Sequence, residues 1–245
     1  MDKSSRLDIP VSEQIASWDA WNGAAKRHER LGTASARQWQ RLEQRLRALQ
    51  RTDLAIVDVG CGSGWTCQRL LPFGTVTGTD LSPKTIETAA ERVPGAKFIA
   101  GNLFDVPLPL GAFDVAVSLE VLAHVADQPA LVRRLADLLA DGGRLFLATQ
   151  NRPVLERWSQ IGSPIPGTIR RWVDHRTLRG LLDPCFIDIE IESVYPVGDR
   201  GLLRILNSVK LNRLAATIFS EQAIEGWKER RMLGHTLLAW ARKRS

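Results

Sequence analysis

Three glycines and the acidic residue that follows them are the part of the sequence whose types and spacing indicate chemistry. The apolar run 54–59 leads directly into Gly60, Gly62 and Gly64, and the next apolar run ends in Asp80, 20 residues after Gly60. Glycine lets the backbone turn sharply and approach a ligand where a Cβ atom would collide. A carboxylate at the end of a second strand can accept hydrogen bonds from both hydroxyl groups of a ribose. The pattern therefore predicts a site for a ribose-containing cofactor.

The spacing of the glycines excludes two common nucleotide-binding motifs. In the dinucleotide pattern G-x-G-x-x-G/A, the last small residue lets the helix pack closely on the strand. Counted from Gly60 that position is Trp65, whose indole prevents such an approach. The sequence contains no G-x-x-x-x-G-K-[ST], so a phosphate-binding P-loop is also excluded. The loop V-D-V-G-C-G-S-G instead resembles motif I of the class I S-adenosylmethionine-dependent methyltransferases.

The resemblance continues in the family's order over about half of the chain. Its further segments are Asp80-Leu81-Ser82 after the second strand, Gly101-Asn102-Leu103 after the third, residues 113–125 around the fourth, and residues 138–147 leading into the fifth. Together the segments are similar to the branch that contains the ubiquinone-biosynthesis O-methyltransferases and many natural-product methyltransferases. The ordered set is a much more specific signal than one glycine loop.

Alternating strand and helix patterns predict an α/β fold whose sheet is mostly parallel. The pattern predicts strands over 54–59, 75–79, 96–100, 113–118, 143–149, 186–194 and 236–241, and helices over 64–71, 83–92, 128–140 and 175–182. The resemblance implies a Rossmann-like, seven-stranded sheet in the order 3-2-1-4-5-7-6, with helices on both faces and added helical lid segments.

We expect the whole chain, 1–245, to form a single class I methyltransferase domain. Helical spacing predicts helices within residues 11–50, and we expect residues 1–50 to form an N-terminal helical lid. Residues 51–150 are expected to form the cofactor-binding half, and residues 151–245 the substrate-side half with a helical insertion at 198–235.

The resemblance implies that the cofactor is S-adenosyl-L-methionine and assigns its binding residues. Asp58 is expected to hold the loop and reach the amino group of the cofactor, Asp80 to accept the ribose hydroxyls, and Leu81 to pack on adenine. Many relatives have an acid where this chain has Asn102, whose amide oxygen can still accept a hydrogen bond from the adenine amino group. The remaining residues of the set are Gly60, Cys61, Gly62 and Gly64 in the loop, Leu103 at the adenine edge, and Leu119 and Glu120 beside the cofactor.

Two histidines are candidates for the catalytic base. His124 lies four residues after Glu120 at the expected carboxyl edge of the sheet, and an imidazole there can accept a proton near neutral pH. His175 begins a predicted helix and is the weaker candidate. Trp18 and Trp21 are candidates for covering the cofactor or substrate with an aromatic face, and Arg37 for binding the cofactor carboxylate.

Composition limits the compartment and the partners. The first ten residues are polar and lack the apolar core of a signal peptide, and no apolar stretch reaches the roughly 20 residues that span a bilayer, so we expect a cytoplasmic protein. The stripe Leu202, Ile205, Leu206 and Val209 predicts a helix packed on the core, but leaves open a lid over a lipophilic substrate or a peripheral membrane contact. Three scattered cysteines predict no disulfide framework, and we see no metal site. Oligomeric state is not predicted.

The expected reaction is methyl transfer to a small-molecule acceptor, most favourably to a hydroxyl oxygen of an aromatic or lipophilic metabolite. The net charge of +6 raises the alternative of a nucleic-acid substrate. DNA methylation is disfavoured because Ser118-Leu119-Glu120-Val121 has neither a [DN]-P-P-[FY] tetrapeptide nor a Pro-Cys pair. Methylation of a small amine or heterocycle, an RNA methyltransferase of another type, and a binding protein that holds the cofactor without turnover stay open.

Overall fold

Seven parallel and antiparallel strands form one sheet in the part of the chain that the structure describes. The structure is a computed structural model that describes residues 9–23, 32–159, 165–198, 200–208 and 220–245. The strand order is β3-β2-β1-β4-β5-β7-β6, with β7 antiparallel to both of its neighbours. The strands are β1 (Leu54–Val59), β2 (Gly74–Asp80), β3 (Lys97–Ala100), β4 (Phe113–Leu119), β5 (Leu139–Gln150), β6 (Phe186–Val194) and β7 (Thr236–Lys243). The predicted fold class and strand order are confirmed.

Helices of the described residues lie between the strands, and further helices precede β1 and occur in the second half of the chain. They are α1 (Val11–Gly23), α2 (Thr33–Ala48), α3 (Trp65–Leu70), α4 (Pro83–Arg92), α5 (Gln128–Leu138), α6 (Arg152–Trp158), α7 (His175–Leu182), α8 (Gly201–Leu206) and α9 (Glu221–Arg230). Short 3₁₀ turns lie at Leu71–Phe73 and Leu122–His124. The predicted stripe at Leu202, Ile205, Leu206 and Val209 lies outside the described side chains.

The central strands bury both of their faces, as the parallel arrangement requires. Successive side chains of a strand point to opposite faces. In β1, Val57 and Val59 therefore belong to the apolar cluster that includes α5 and α7, whereas Leu54 and Ile56 belong to the cluster that includes α2 and α3. This layering leaves the carboxyl ends of β1, β2 and β4 at one edge, where ligands bind in open α/β sheets.

Helix α2 is fixed to the sheet by one apolar face and one charged face. Leu42 and Leu46 are fully buried, and Gln38 continues their helical spacing at 3% exposure. Three arginines of the charged face form ion pairs with acidic residues of β6 and α9, namely Arg37 with Glu225, Arg41 with Glu192 and Glu229, and Arg45 with Glu190. These ion pairs hold α2 against α9 and against β6, which is the strand at one edge of the sheet.

Two boundaries differ from the prediction for local reasons. Strand β5 begins at Leu139 instead of 143, and α5 ends at Leu138 instead of 140. The pairing with β4 shifts between Phe113 and Val115, and Gly142 within the shift has φ +72°. A β-bulge of this kind lets the strand continue through a glycine pair that the sequence pattern presents as a turn.

Gly74 begins β2 at a position where no side chain fits. Its φ is +152°, and a Cβ atom there would collide with the carbonyl oxygen of Leu54 and lie 2.5 Å from the Leu54 amide nitrogen. We expect Gly74→Ala to lower the free energy of unfolding by about 2–5 kcal/mol, because backbone strain and overlap add. Urea unfolding followed by tryptophan fluorescence measures this. Gly111→Ala is the control, since Gly111 also has positive φ but has no atom within 4 Å of the added Cβ. Equal losses in both variants would show that the overlap with Leu54 contributes nothing.

Candidate active site

A cavity of about 760 Å³ opens at the carboxyl ends of β1, β2 and β4. This volume lies within the roughly 300–1,000 Å³ that is typical of small-molecule sites. The lining is mainly apolar and aromatic, with a few polar groups, and it comes from the strand ends, from α1 and from the segment 165–172. The lining includes Trp18, Trp21, Gly60, Gly62, Asp80, Leu81, Asn102, Leu103, Leu119, Glu120, His124, Ile169, Arg170 and Trp172. We call it the larger cavity.

The glycine loop forms one wall of the larger cavity through its backbone. The amide groups of Gly60 and Cys61 both donate to the carbonyl oxygen of Thr79, at 2.8 and 3.0 Å, which ties the loop to β2. Gly60 has φ +72°, and a Cβ atom there would overlap the side chain of Val121. Glycine at this position therefore permits both the turn and the close approach of the segment after β4.

Two other members of the predicted loop set lie away from the larger cavity. Gly64 caps α3 with φ +81°, and its Cα faces Ala89, Val93 and Phe98. Cys61 is 8% exposed and lines only a neighbouring cavity on the other side of the loop. Gly64 therefore shapes the loop, and of the two only Cys61 is placed where a ligand can touch it.

Asp80 lies at the end of β2 and lines the larger cavity beside the loop. Its Oδ2 accepts a hydrogen bond from the amide of Gly62 at 3.0 Å, and its Oδ1 accepts one from the amide of Ser82 at 3.0 Å. Burial raises the pKa of this carboxyl group, and the two amide donors partly oppose that rise. Each oxygen keeps a lone pair, so the group can accept two ribose hydroxyls while it holds the loop.

The segment after β3 supplies the wall at the predicted adenine position. Leu81, Asn102 and Leu103 all line the larger cavity. The Asn102 amide also organises its own turn, because Nδ2 donates to Asp105 at 3.0 Å and Oδ1 accepts from the amide of Phe104 at 3.3 Å. One lone pair of Oδ1 is left for a ligand donor, which is fewer acceptors than the acid of related sequences offers.

Asp58 lies outside both cavities, which differs from its expected contact with the cofactor. The residue is 1% exposed, and its Oδ2 accepts a hydrogen bond from the thiol of Cys67 at 3.2 Å. Its neighbour Val59 lines the larger cavity instead, since consecutive residues of a strand face opposite sides. Burial raises the pKa of Asp58 to about 7. The carboxyl group is thus placed to support the loop from below.

A smaller cavity of about 240 Å³ adjoins the larger one along the glycine loop. The two cavities share Trp21, Asn22, Gly60, Gly62, Leu119 and Glu120. The rest of the smaller cavity is more polar, with Ser35 and Gln38 from α2, and Ser63, Thr66 and Arg69 from the loop and α3. Leu119 and Glu120 therefore stand at the junction of an apolar space and a polar one.

His124 lines the larger cavity at the end of the 3₁₀ turn that follows β4. Its Nδ1 lies 2.7 Å from the carbonyl oxygen of Ile169. A carbonyl oxygen can only accept, so Nδ1 carries the hydrogen and the neutral ring has its lone pair on Nε2. Burial lowers the pKa of His124, the Ile169 carbonyl opposes this, and the nearby positive charge of Arg170 lowers the pKa further. The imidazole is accordingly neutral at pH 7 and can accept a proton.

The segment that contains Ile169 is held in place by Gln128. The Gln128 amide donates to the carbonyl oxygens of Leu122 and Arg171, at 2.9 and 2.8 Å, and the amide of Arg171 donates to the carbonyl oxygen of Ala123 at 2.8 Å. These bonds join the two segments whose contact orients the His124 ring. Gln128 carried no signal in the sequence beyond a helix start.

Helix α1 covers the larger cavity from above. Trp18 meets the His124 ring edge to face with centroids 4.8 Å apart, and Trp21 lines both cavities. At the other end, Ser82 donates a hydrogen bond to Asp19, and Asn22 donates to Thr85 at 3.0 Å. The helix thus contacts both the Asp80 side and the His124 side, and it places Trp18 and Trp21, the two predicted cover residues, in the lining of the larger cavity.

Arg37 and His175 lie outside the site. Arg37 forms an ion pair with Glu225 at 2.5 Å, and His175 is an exposed first residue of α7; neither lines a cavity. On α2 the inward position belongs to Gln38, one residue later, because neighbouring helix positions are rotated by about 100°. Gln38 donates to Glu120 at 2.5 Å and was not predicted.

Within the part of the chain that the structure describes, no group of three or more His, Cys, Asp or Glu side chains could hold a metal ion. Arg170 and Trp172 also line the larger cavity, where the Arg170 guanidinium lies 4.9 Å from the centroid of the Trp172 ring, and neither was among the predicted site residues.

Comparison with known proteins finds similarity to methyltransferases over part of the chain. Residues 57–147 match the family model described as a methyltransferase domain. Over 127 residues the chain is 38% identical to a ubiquinone biosynthesis O-methyltransferase from Caulobacter sp. (strain K31), which covers 49% of this chain and 49% of that protein. The chain thus spans about half the length of the curated relatives it matches.

Solved structures show the same architecture over more of the chain. An S-adenosylmethionine-dependent methyltransferase from Mesorhizobium loti is similar with a TM-score of 0.57 and 25% identity, over 81% of this chain and 96% of that one. Phosphoethanolamine N-methyltransferase 2 of Haemonchus contortus, solved with S-adenosyl-L-methionine, is similar with a TM-score of 0.62 and 18% identity, over 94% of this chain and 57% of that one. The second likeness concerns the fold alone.

Proposed function

We propose that this chain, which carries a methyltransferase domain of the class I S-adenosylmethionine-dependent family, moves a methyl group to a hydroxyl oxygen of an aromatic or lipophilic small molecule. The predicted family is confirmed, and S-adenosylmethionine is the cofactor of that family, as predicted. The proposal rests on one observation above all: a single cavity is lined both by the Gly60–Asp80 cradle and by His124.

The residues of the larger cavity fit the cofactor. Gly60 and Gly62 contribute the glycine loop to the lining of this cavity, and Asp80 offers lone pairs to a ribose. Thr79 also lines this cavity, and its hydroxyl is buried without a hydrogen-bond partner among the described residues. When bound, the cofactor supplies a methyl group on a sulfonium sulfur. Holding the acceptor atom in line with that methyl is mainly a matter of position.

His124 supports an oxygen acceptor. A hydroxyl oxygen becomes a good nucleophile as it loses its proton, and the lone pair on Nε2 can take that proton. The carbonyl of Ile169 keeps the ring in the tautomer that this role requires. Apolar and aromatic walls around it, from Trp18, Leu155 and Trp172, favour an aromatic or lipophilic acceptor.

We also propose that the chain works as one methyltransferase domain divided as its sequence indicates. Contacts of α1 with Ser82 and His124 support residues 1–50 as a lid. The cradle in 51–150 and the wall around Ile169 support a cofactor-binding half and a substrate-side half, 151–245, with the insertion 198–235. Among the described residues, no helix is long and apolar enough to cross a membrane. A cytoplasmic location and a peripheral membrane contact stay predictions.

Transfer of an isotope-labelled methyl group tests the proposal. The protein is incubated with methyl-labelled S-adenosylmethionine and panels of phenols, catechols, long-chain alcohols and amines, and the products are analysed by mass spectrometry. We expect label in an ether oxygen of one of the hydroxyl compounds. Label on nitrogen would show that the acceptor atom is nitrogen and not the proposed oxygen. Tight cofactor binding with no transfer to any panel would favour a binding protein over an enzyme.

A further inference from the structure

Glu120 occupies an unusual backbone position at the junction of the two cavities. Its φ is +63°, in the left-handed region that glycine favours and a glutamate rarely adopts. Its amide donates to the carbonyl oxygen of Ala148 at 2.8 Å, which fixes this turn at the end of β4. Strained backbone of this kind persists where surrounding structure holds it, most often at functional sites. Here it brings the carboxyl group to the lining of both cavities.

Only one oxygen of the Glu120 carboxyl group accepts hydrogen bonds from the described residues, and both of its donors are neutral. Its Oε1 accepts from the Gln38 amide at 2.5 Å and from the Thr236 hydroxyl at 3.2 Å. Its Oε2 accepts no hydrogen bond from any residue that the structure describes. Burial raises the pKa of Glu120 to about 7, and the two donors partly oppose this. A carboxylate in such surroundings is stabilised by a cation, and Oε2 is the atom on which a ligand cation can lie.

The charges around the junction suit an amino acid in one orientation. The smaller cavity beyond Glu120 is lined by Ser35, Thr66 and Arg69, whose guanidinium lies over the Trp39 ring at 5.6 Å. These donors complement a carboxylate. The other charged or titratable groups that line the larger cavity are Asp80, His124, Asp127 and Arg170. An ammonium is therefore favoured at Glu120 and a carboxylate deeper in the smaller cavity.

We propose that Glu120 binds the α-ammonium group of the cofactor's amino-acid part, and that Gln38 of α2 is the positioning residue that orients it. The assignment rests on the proposed function, since it takes the cofactor as the ligand. It moves to Glu120 the contact that the sequence predicts for Asp58, whose carboxyl group is buried under the loop and bonded to Cys67. It also couples cofactor binding to α2, because the helix carries Gln38 and Ser35 to the same cavity.

Three ligands test the assignment by titration calorimetry. S-adenosylmethionine has the sulfonium and the amino-acid part with its ammonium and carboxylate groups. S-adenosylhomocysteine has the amino-acid part without the sulfonium, and 5′-methylthioadenosine has neither. At pH 7.5 we expect Glu120→Gln to weaken the first two by about tenfold or more, because a charge-assisted hydrogen bond is lost. The affinity for 5′-methylthioadenosine should be unchanged, which also shows that the variant keeps its fold and its cavity.

The pH dependence gives a second readout. Only the ionised carboxylate attracts an ammonium, so the wild-type affinity for S-adenosylhomocysteine should fall as pH is lowered from 7.5 to 6.0, through the raised pKa of Glu120. The affinity of Glu120→Gln should change less over the same range, and the difference between the two proteins removes the contributions of the other titratable groups. Gln38→Ala should weaken S-adenosylhomocysteine without weakening 5′-methylthioadenosine.

Each other outcome overturns the assignment in its own way. An equal loss of affinity for all three ligands in Glu120→Gln would mean that Glu120 only maintains the shape of the cavity. Loss for S-adenosylmethionine alone would place the sulfonium, not the ammonium, at the carboxylate. No loss for any ligand would remove Glu120 from the site. If the wild-type protein binds none of the three ligands, the proposed function fails first, and the assignment fails with it.

Discussion

His124→Ala should reduce turnover by about 10²-fold or more while the affinity for S-adenosylhomocysteine stays the same. The expectation follows from the tautomer that the structure imposes. Nδ1 lies 2.7 Å from the Ile169 carbonyl oxygen and must carry the hydrogen, which leaves Nε2 as a base in the acceptor half of the cavity. Steady-state kinetics with the identified acceptor, combined with calorimetry, measures both quantities.

Two further variants separate base chemistry from packing. His124→Gln keeps an amide donor for Ile169 but cannot take a proton, so it should lose nearly as much turnover as the alanine variant. His175→Ala changes the other candidate histidine, which is exposed and outside both cavities, and should leave turnover unchanged. Substantial activity in His124→Gln would show that the ring serves only as a wall against Trp18.

The pH profile of the wild-type enzyme carries the same information. Because burial lowers the pKa of His124, the ring should stay neutral through pH 7 and become protonated only below its ordinary range of about 6.5. At saturating cofactor, turnover should therefore be level above that range and fall as pH is lowered through the reduced pKa. His124→Gln should lack this fall.

Asp80→Ala should weaken cofactor binding by about 1–3 kcal/mol, a loss of roughly 5- to 150-fold in affinity. Two effects combine, since the variant loses the acceptor for the ribose hydroxyls and also the oxygen that receives the Gly62 amide at 3.0 Å. The second bond organises the loop before any ligand arrives. Calorimetric titration with S-adenosylhomocysteine measures the change.

Asp141→Ala is the matched control for Asp80→Ala. Asp141 is an exposed acid near the start of β5 and lines neither cavity, and its Oδ1 lies 4.0 Å from Nζ of Lys243. Its removal should leave cofactor affinity unchanged. Wild-type affinity in Asp80→Ala would remove Asp80 from the site and leave the glycine loop without its expected partner.

The sheet was predictable because its strands are buried, apolar and separated by clear turn residues. β1 and β4 match their expected ranges to within one residue. Helix α6 (Arg152–Trp158) was not predicted. Its start is favourable, with Asn151 at the N-cap and Pro153 in the first turn, but the helix is short and the sequence on either side of it has no clear periodicity. The chain 11–50 was expected to be helical, and the structure describes α1 and α2 within it.

The site was predictable where backbone position decides the contact, and less so where side-chain direction does. Gly60, Asp80 and His124 follow from the loop and the strand ends, which the sequence pattern locates. Asp58 and Arg37 sit one residue from an inward-facing position, and a shift of one residue turns a side chain to the other face of a strand or around a helix. The residues that face inward are Val59 and Gln38.

Calorimetric titration of the purified wild-type protein with S-adenosylmethionine and S-adenosylhomocysteine, with NADH as the control ligand, tests the cofactor site most simply. We expect the first two ligands to bind and NADH not to bind, because Trp65 stands where a dinucleotide loop needs a small residue. Binding of NADH with no binding of the other two would mean that the Gly60–Asp80 cradle serves a different cofactor, and the proposed methyl transfer would be wrong.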